Sequence, residues 1–142
     1  MRTVFADSSY WVALFYSQDE LHPIADTISE SLETSKTFIT TSEMVLIEVL
    51  NFFCKFEQNI RQQVATTISG MQNNPTITVI PQTTELFDRA LNLYTQCPDK
   101  QWSLTDCSSF VLMQDLEIQA ALTHDKHFEQ AGFQVLMRKV TD

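Results

Sequence analysis

The chain has 142 residues, and 44% of them are hydrophobic, so it is long enough and apolar enough to form one domain with a real core and is not a disordered chain. It has only two glycines and contains neither GxGxxG nor GxxxxGK[ST], which excludes the usual nucleotide-binding loops. Nine basic residues stand against eighteen acidic ones, and the resulting net charge of −9 argues against a module that binds nucleic acid through a basic stripe.

Short apolar runs alternate with segments whose apolar residues recur at helical spacing. The runs predict strands over residues 3–6, 37–41, 76–80, 120–123 and 133–137. The segments between them predict helices that begin near Ser8, at His22, after Ser42 (residues 44–56), at Asn59, at Thr83 and at Ser103. This order predicts an α/β fold, a three-layer α/β/α sandwich around a parallel five-stranded sheet, with residues 1–142 as one domain.

Four acidic residues occupy positions where an acid is hard to explain by structure alone. Asp7 and Asp125 each directly follow a predicted strand, and Asp106 lies in the first turn of a predicted helix. Glu48 lies just over one turn inside another helix. Ligand crevices of parallel sheets lie beyond the carboxyl ends of the strands. We therefore expect these four side chains to lie close together.

Glu48 is the most informative of the four acids. In the helix predicted over residues 44–56, it falls on the same apolar stripe as Val45, Val49 and Phe52. An ionised carboxylate that faces a core costs several kcal/mol unless a cation or strong donors meet it. The pattern predicts a core-facing Glu48 whose charge is compensated by a metal ion.

A cluster of carboxylates indicates a hard divalent cation and hydrolytic chemistry. Mg²⁺ and Mn²⁺ prefer oxygen ligands, and such ions activate water and stabilise the leaving oxygen of a phosphodiester. His124 and His127 flank Asp125 with an HxxH-like spacing, but a zinc site would need a better ligand set than the cysteines are placed to supply. We therefore favour Mg²⁺ or Mn²⁺ over zinc.

Polar side chains adjoin three of the acids. Ser8, Thr105 and Thr123 either orient water and contact a phosphate or only cap helices, and the sequence leaves both interpretations open. We predict substrate contacts for Ser8 and Thr105, and also for His127, whose ring would reach a phosphate. The aromatic side chains near Trp11, Tyr16 and Trp102 would either stack on bases or pack a dimer, and packing is favoured.

The acids belong to longer segments that resemble the successive motifs of PIN-domain ribonucleases. The resemblance is closest to the small single-domain VapC-like group, the toxins of bacterial toxin–antitoxin pairs, and it spans essentially the whole chain. The segments that carry it are Asp7-Ser-Ser with Trp11 and Leu14 after it, residues 41–51 around Glu48, Ser103-Leu-Thr-Asp106, and residues 122–128 followed by Gly132.

This resemblance implies a fold, an activity and a set of partners. It implies a single PIN-like domain over residues 1–142 and hydrolysis of RNA that depends on Mg²⁺ or Mn²⁺ and leaves a 5′-phosphate and a 3′-hydroxyl. In the family's pattern the catalytic and metal-binding acids map to Asp7, Glu48, Asp106 and Asp125. It also implies a homodimer and a cognate antitoxin that inserts into the active-site groove.

Two other functions remain open at this point. One is a housekeeping RNA-processing nuclease of the same fold without an antitoxin. The other is a non-catalytic domain that holds a basic peptide in an acidic groove, which the net charge of −9 motivates. The N-terminus becomes charged too early for a signal peptide, and three cysteines without CxxC spacing suit a reducing cytoplasm, with Cys54 and Cys107 expected as buried thiols.

Overall fold

Five parallel strands form a single sheet in the part of the chain that the computed structural model describes, residues 2–138. The strands are β1 (Thr3–Ala6), β2 (Phe38–Ser42), β3 (Ile77–Ile80), β4 (Ala120–Leu122) and β5 (Gln134–Val135). The helices are α1 (Ser8–Phe15), α2 (His22–Thr34), α3 (Glu43–Phe53), α4 (Gln58–Met71), α5 (Thr84–Gln96), α6 (Leu104–Asp115) and α7 (Lys126–Gln130). The prediction of an α/β fold with a parallel five-stranded sheet is confirmed.

The order of the strands creates a crevice next to β1. The order is β3-β2-β1-β4-β5, so the chain leaves β1 towards β2 and β3 and then returns to β4 on the other side of β1. Connections diverge at such a point, and open α/β sheets place their ligands there. Ala6 is paired with Leu122 across β1 and β4, so the next residues of both strands, Asp7 and Thr123, stand side by side at the opening.

Strands β1 and β4 are covered by the surrounding helices. Val4, Phe5 and Ala6 of β1 have no exposed surface, and every residue of β4 is buried, as expected for a parallel sheet between helices. Residues 106–113 of α6 are all buried as well, which places this helix inside the fold. The part of α6 that begins at Asp106 is therefore packed against other parts of the chain.

Hydrogen bonds join α1 to the sheet beneath the crevice. The indole nitrogen of Trp11 donates to the hydroxyl of Thr41 at 3.2 Å, and that hydroxyl donates to the carbonyl oxygen of Ala6 at 2.8 Å. Trp11 is 3% exposed, so its ring packs within its own chain, and the prediction that it packs a dimer surface is wrong. These bonds fix the start of α1 relative to the ends of β1 and β2.

The helix caps predicted at Ser42 and Ser103 are present. The cap predicted at Ser8 or Ser9 is wrong, since Asp7 is the N-cap residue of α1 and its side chain makes no cap hydrogen bond. The Ser42 hydroxyl accepts from the backbone N–H of Val45 at 3.2 Å, and Thr83 caps α5 in the same way. Ser103 and Asp106 form a capping box, in which each side chain accepts from the other residue's backbone N–H. The cap therefore fixes the orientation of one of the predicted site acids.

The orientation predicted for Glu48 is wrong. The buried residues of α3 are Val45, Leu46, Val49 and Phe53. These positions centre the buried face between Val45 and Leu46, which turns Glu48 to the exposed side of the helix. Glu48 therefore faces solvent at the crevice and not the core.

Some boundaries also differ from the sequence-based prediction. Helix α3 ends at Phe53, so Cys54 lies just beyond it and is exposed, and the prediction that Cys54 is buried is wrong, whereas Cys107 is buried as predicted. Strand β5 is limited to Gln134–Val135, and the short helix α7 was not predicted. Within residues 2–138, no helix is long and apolar enough to cross a membrane.

Candidate active site

A cavity of about 490 Å³ opens beyond the carboxyl ends of β1 and β4. All four acids singled out in the sequence line it, and it is called the acidic cavity below. Asp7 follows β1, Glu48 projects from α3, Asp106 lies in the first turn of α6, and Asp125 directly precedes α7. Four separate segments of the chain thus bring their carboxyl groups to one place, while the catalytic role of these groups stays a prediction.

Asp7 is the most buried of these acids. It is 4% exposed, and its carboxylate accepts a hydrogen bond from the Thr123 hydroxyl at 2.9 Å. The pKa of Asp7 is raised from 3.8 to about 7, chiefly by burial and to a smaller extent by the charges of Asp106 and Glu48, while hydrogen bonds from the Ser8 backbone and Thr123 act in the opposite direction. The cavity therefore resists the ionisation of all its acids unless a cation compensates for their charge.

The Thr123 hydroxyl links two of the acids. Besides donating to Asp7, it accepts from the backbone N–H of Asp125 at 3.1 Å. The Ser9 hydroxyl lies 3.1 Å away, and it donates to Thr123 because the one Thr123 hydrogen is directed at Asp7. Thr123 is fully buried, so this network fixes the ends of β1 and β4 relative to each other. Thr123 is a positioning residue of the cavity.

His127 joins Asp106 and Asp125. Its Nδ1 atom lies 3.2 Å from a carboxylate oxygen of each, and that nitrogen carries the hydrogen because carboxylates only accept. Burial is the main cause that raises the pKa of Asp106, and the charge of Asp125 raises it as well. The hydrogen bond from the Ser103 backbone and the interaction with His127 lower the pKa and only partly offset this rise. His127 therefore reduces the repulsion between two acids that approach each other closely.

Glu48 stands at the exposed side of the cavity and is held by Ser8. The Ser8 hydroxyl donates to a Glu48 carboxylate oxygen at 2.5 Å. Ser8 lines the cavity as predicted, but its hydroxyl is engaged with Glu48. Thr105, also predicted to contact substrate, is not among the described residues that line the cavity.

The cavity also contains residues that the sequence did not single out. Asp19, in the loop between α1 and α2, lines it, and its side chain accepts from the backbone N–H of Leu21 at 2.8 Å. Phe52 and Gln101 line it as well. A turn-forming Asp before a helix was the one available signal for Asp19, and it carries no information about which distant segments the turn meets.

The donor set of the acidic cavity fits a divalent cation. One ligand atom each from Asp106, Asp125 and His127 can be chosen so that the atoms lie within 4.8 Å of one another. None of the described residues that line the cavity is Lys or Arg, so no side-chain cation there offsets the acids. Carboxylate oxygens are the ligands that Mg²⁺ and Mn²⁺ prefer, and an imidazole nitrogen is compatible with Mn²⁺ and softer ions.

The model of the PIN domain family matches residues 4–134. The chain belongs to the PIN domain family. It is 25% identical over 130 residues to the 23S rRNA-specific endonuclease VapC20 of Mycobacterium tuberculosis, in strains CDC 1551 / Oshkosh and ATCC 25618 / H37Rv, a match that covers 92% of this chain and 95% of the relative. The resemblance to the VapC-like group of PIN domains, stated above from the motifs, is confirmed.

Solved structures agree with this family. The crystal structure of Mycobacterium tuberculosis VapC20, described as a Sarcin-Ricin loop cleaving toxin, matches with a TM-score of 0.77 at 26% identity and covers 92% of this chain and 95% of its own. FitAcB from Neisseria gonorrhoeae matches with a TM-score of 0.62 at 12% identity, over 94% and 96% of the two chains. The second match shows the PIN fold alone.

Proposed function

We propose that this PIN-domain chain is a metal-dependent endoribonuclease that hydrolyses RNA phosphodiester bonds and that it is the toxin of a type II toxin–antitoxin pair. The observation that carries the proposal is the convergence of four acids from four segments in one cavity without a Lys or Arg among its described lining residues. The similarity to a 23S rRNA-specific endonuclease over 92% of the chain supports RNA as the substrate class.

The four acids Asp7, Glu48, Asp106 and Asp125 would hold the metal, which we propose to be Mg²⁺ or Mn²⁺. When bound, such an ion polarises the phosphodiester and makes water a better nucleophile. The chain's own part is to keep the carboxylates converged although they repel one another. Binding of the ion would also release the proton that Asp7 holds near neutral pH in its absence.

The neighbouring polar residues have two kinds of proposed role: some position the acids, and one contacts the substrate. Thr123 sets the distance between Asp7 and Asp125, and Ser8 sets the direction of Glu48. We assign Ser8 this positioning role in place of the substrate contact predicted from the sequence. His127 lines the cavity between two acids and remains our candidate for contact with a phosphate.

The first test is cleavage of ribosomal RNA by the purified protein with Mg²⁺ or Mn²⁺, with and without EDTA. Asp106→Asn keeps the side-chain shape and the capping acceptor but loses the charge that a cation needs. We expect it to lower the cleavage rate by more than about 100-fold, beyond the 10–100-fold typical of residues that only support metal ligands. EDTA should abolish cleavage.

The matched control is Asp88→Asn, which removes a charge from the exposed side of α5, outside the cavity. It should leave the rate unchanged. Thermal unfolding of both variants establishes that they are folded. Cleavage that persists in EDTA, or equal rates for folded Asp106→Asn and Asp88→Asn, would overturn the metal-dependent mechanism.

The proposed partners are RNA, a cognate antitoxin and a second copy of the chain in a homodimer. The VapC-like family membership supports them, and the three free thiols support a cytoplasmic location. Expression in a bacterial host should arrest growth for the wild type but not for Asp106→Asn, and light scattering should give twice the chain mass. Undisturbed growth with active protein present would favour the housekeeping nuclease.

A further inference from the structure

Phe52 is a large aromatic residue on the wall of the acidic cavity. Its side chain is 47% exposed, whereas the neighbouring Phe53 belongs to the core and is 1% exposed. Val12 and Leu21 line the same cavity, so its surface is part acidic and part apolar. Metal binding and the attack on a phosphate account for the acids and not for the apolar wall.

The position of Phe52 relative to the acids suits a nucleotide. Phe52 follows Glu48 by four residues on α3, so the two side chains lie on one face of the helix, with Cβ atoms about 5–6 Å apart. This separation is comparable to that between a phosphate and the base of its own nucleotide. A phosphate held near the acids would thus place a base within reach of the Phe52 ring.

Neighbouring aromatic rings hold Phe52 in place. The ring centroid of Phe52 lies 5.0 Å from that of Phe53 in an edge-to-face arrangement and 5.5 Å from that of Phe56. With these contacts in place the ring lines the cavity and is still about half-exposed. A ring that is already immobilised loses little conformational entropy when a ligand stacks on it.

The charge of the chain favours a contact that does not depend on positive side chains. A protein with a net charge of −9, without Lys or Arg among the described residues of the cavity, gains little affinity for RNA from counterion release. Stacking on an aromatic side chain provides affinity without positive charge, and every base offers a face for it. It requires a base that is not paired within a helix.

We propose that Phe52 stacks on the base of an unpaired nucleotide next to the scissile phosphodiester. This inference rests on the proposed ribonuclease function. Phe52 acts here as a substrate-binding residue that sets which bond reaches the acids. It has no part in the chemical step.

The test compares Phe52→Leu, which keeps an apolar side chain without a ring, with Phe52→Tyr, which keeps the ring. The control is Phe87→Leu on α5, a phenylalanine with 40% exposure that lies outside the cavity. With a looped RNA oligonucleotide, Phe52→Leu should raise KM about tenfold at nearly unchanged kcat, as expected for the loss of one base–aromatic stack. Phe52→Tyr and Phe87→Leu should behave as the wild type does.

A second set of substrates identifies the stacked base. Oligonucleotides with one abasic ribose at each position near the cut are cleaved by the wild type and by Phe52→Leu. One position should raise the wild-type KM about tenfold and leave the Phe52→Leu KM unchanged, since the variant has already lost the stack. This non-additivity separates stacking from a merely structural effect of the substitution.

The outcomes keep the two proposals apart. If the wild type cleaves RNA and Phe52→Leu has the same KM, or if abasic positions affect both proteins equally, the stacking proposal is overturned. If the wild type cleaves no RNA with either metal, the proposed function fails and the stacking proposal fails with it.

Discussion

At the scale of single residues, the acidic cavity is unfavourable for the folded chain without a cation. Asp7 is buried at the end of β1 and faces the charges of Asp106 and Glu48. Its pKa in the folded state, about 7, is higher than the ordinary value of 3.8. The folded state thus binds the proton more tightly than the unfolded state, and the stability of the metal-free protein falls as the pH rises from about 4 to about 7.

This cost predicts that Asp7→Asn stabilises the metal-free protein above neutral pH. The rise in pKa from 3.8 to about 7 corresponds to about 4 kcal/mol, and we expect a gain of roughly 2–4 kcal/mol because relaxation reduces the cost. The asparagine oxygen can still accept from Thr123. Urea unfolding in EDTA at pH 8 measures the gain, which should fall below about 1 kcal/mol at pH 4, close to the ordinary pKa of 3.8, because the carboxyl group is then protonated in the folded state and partly protonated in the unfolded state.

The same comparison with metal supplies the control. Mn²⁺ should raise the unfolding free energy of the wild type more than that of Asp7→Asn, because an ion that binds only the folded state stabilises it in proportion to its affinity. Asp88→Asn should match the wild type under all conditions. A metal-free Asp7→Asn that is less stable than the wild type at pH 8 would contradict the account of Asp7 as an uncompensated buried acid.

At the scale of secondary-structure elements, much of the fold could be predicted from local patterns. The β-branched and apolar runs marked the five strands, and Ser42 and Ser103 marked helix starts through their caps. The alternation of the two kinds of segment then indicated a parallel sheet, and the ends of parallel strands bring the residues that follow them to one edge. The location of the acids therefore followed from topology before any side-chain contact was known.

Helix α3 shows why side-chain direction could not be predicted equally well. Phe52 adds to the apolar periodicity whether it faces the core or a ligand cavity, so the pattern placed Glu48 and Phe52 on one buried stripe. The two residues do share a face, but this face lines the acidic cavity. Hydrophobicity alone does not distinguish burial by the protein from burial by a bound molecule.

Helix α7 and Asp19 mark a second limit of the sequence. With five residues, α7 is too short to show a helical period, although Asp125 caps it by accepting from the His127 backbone at 2.9 Å. Asp19 belongs to a loop whose approach to the cavity depends on how α1 and α2 pack. Contacts of this kind arise from tertiary structure and leave no periodic signal.

At the scale of the whole molecule, the net charge of −9 opposes the approach of RNA. Proteins that bind nucleic acid through many phosphate contacts lose affinity steeply with salt, because the release of counterions on binding becomes less favourable as the salt concentration in solution rises. In this chain, the proposed contacts with RNA are a metal bound by the acids and a stacked base. Neither contact releases many monovalent counterions.

We therefore expect RNA cleavage to depend weakly on monovalent salt. At fixed Mg²⁺ or Mn²⁺, kcat/KM should stay constant or rise slightly from 50 to 200 mM KCl, because salt screens the repulsion between the acidic protein and the RNA. A protein with 6–10 phosphate contacts would lose about 10³–10⁵ in affinity over the same range. Steady-state cleavage of one looped oligonucleotide over a KCl series measures the slope.

The control for this series is a measurement of metal binding at each salt concentration, since high salt also weakens the binding of an ion at an exposed site. Unfolding temperatures measured at each KCl concentration with and without Mn²⁺ report whether the ion stays bound. If kcat/KM falls about 100-fold while the metal remains bound, the RNA must be held by many phosphate contacts, and a basic surface supplied by another subunit or partner would have to replace stacking as the main source of affinity. A flat slope with retained metal would instead agree with a site that reads one unpaired nucleotide at a time.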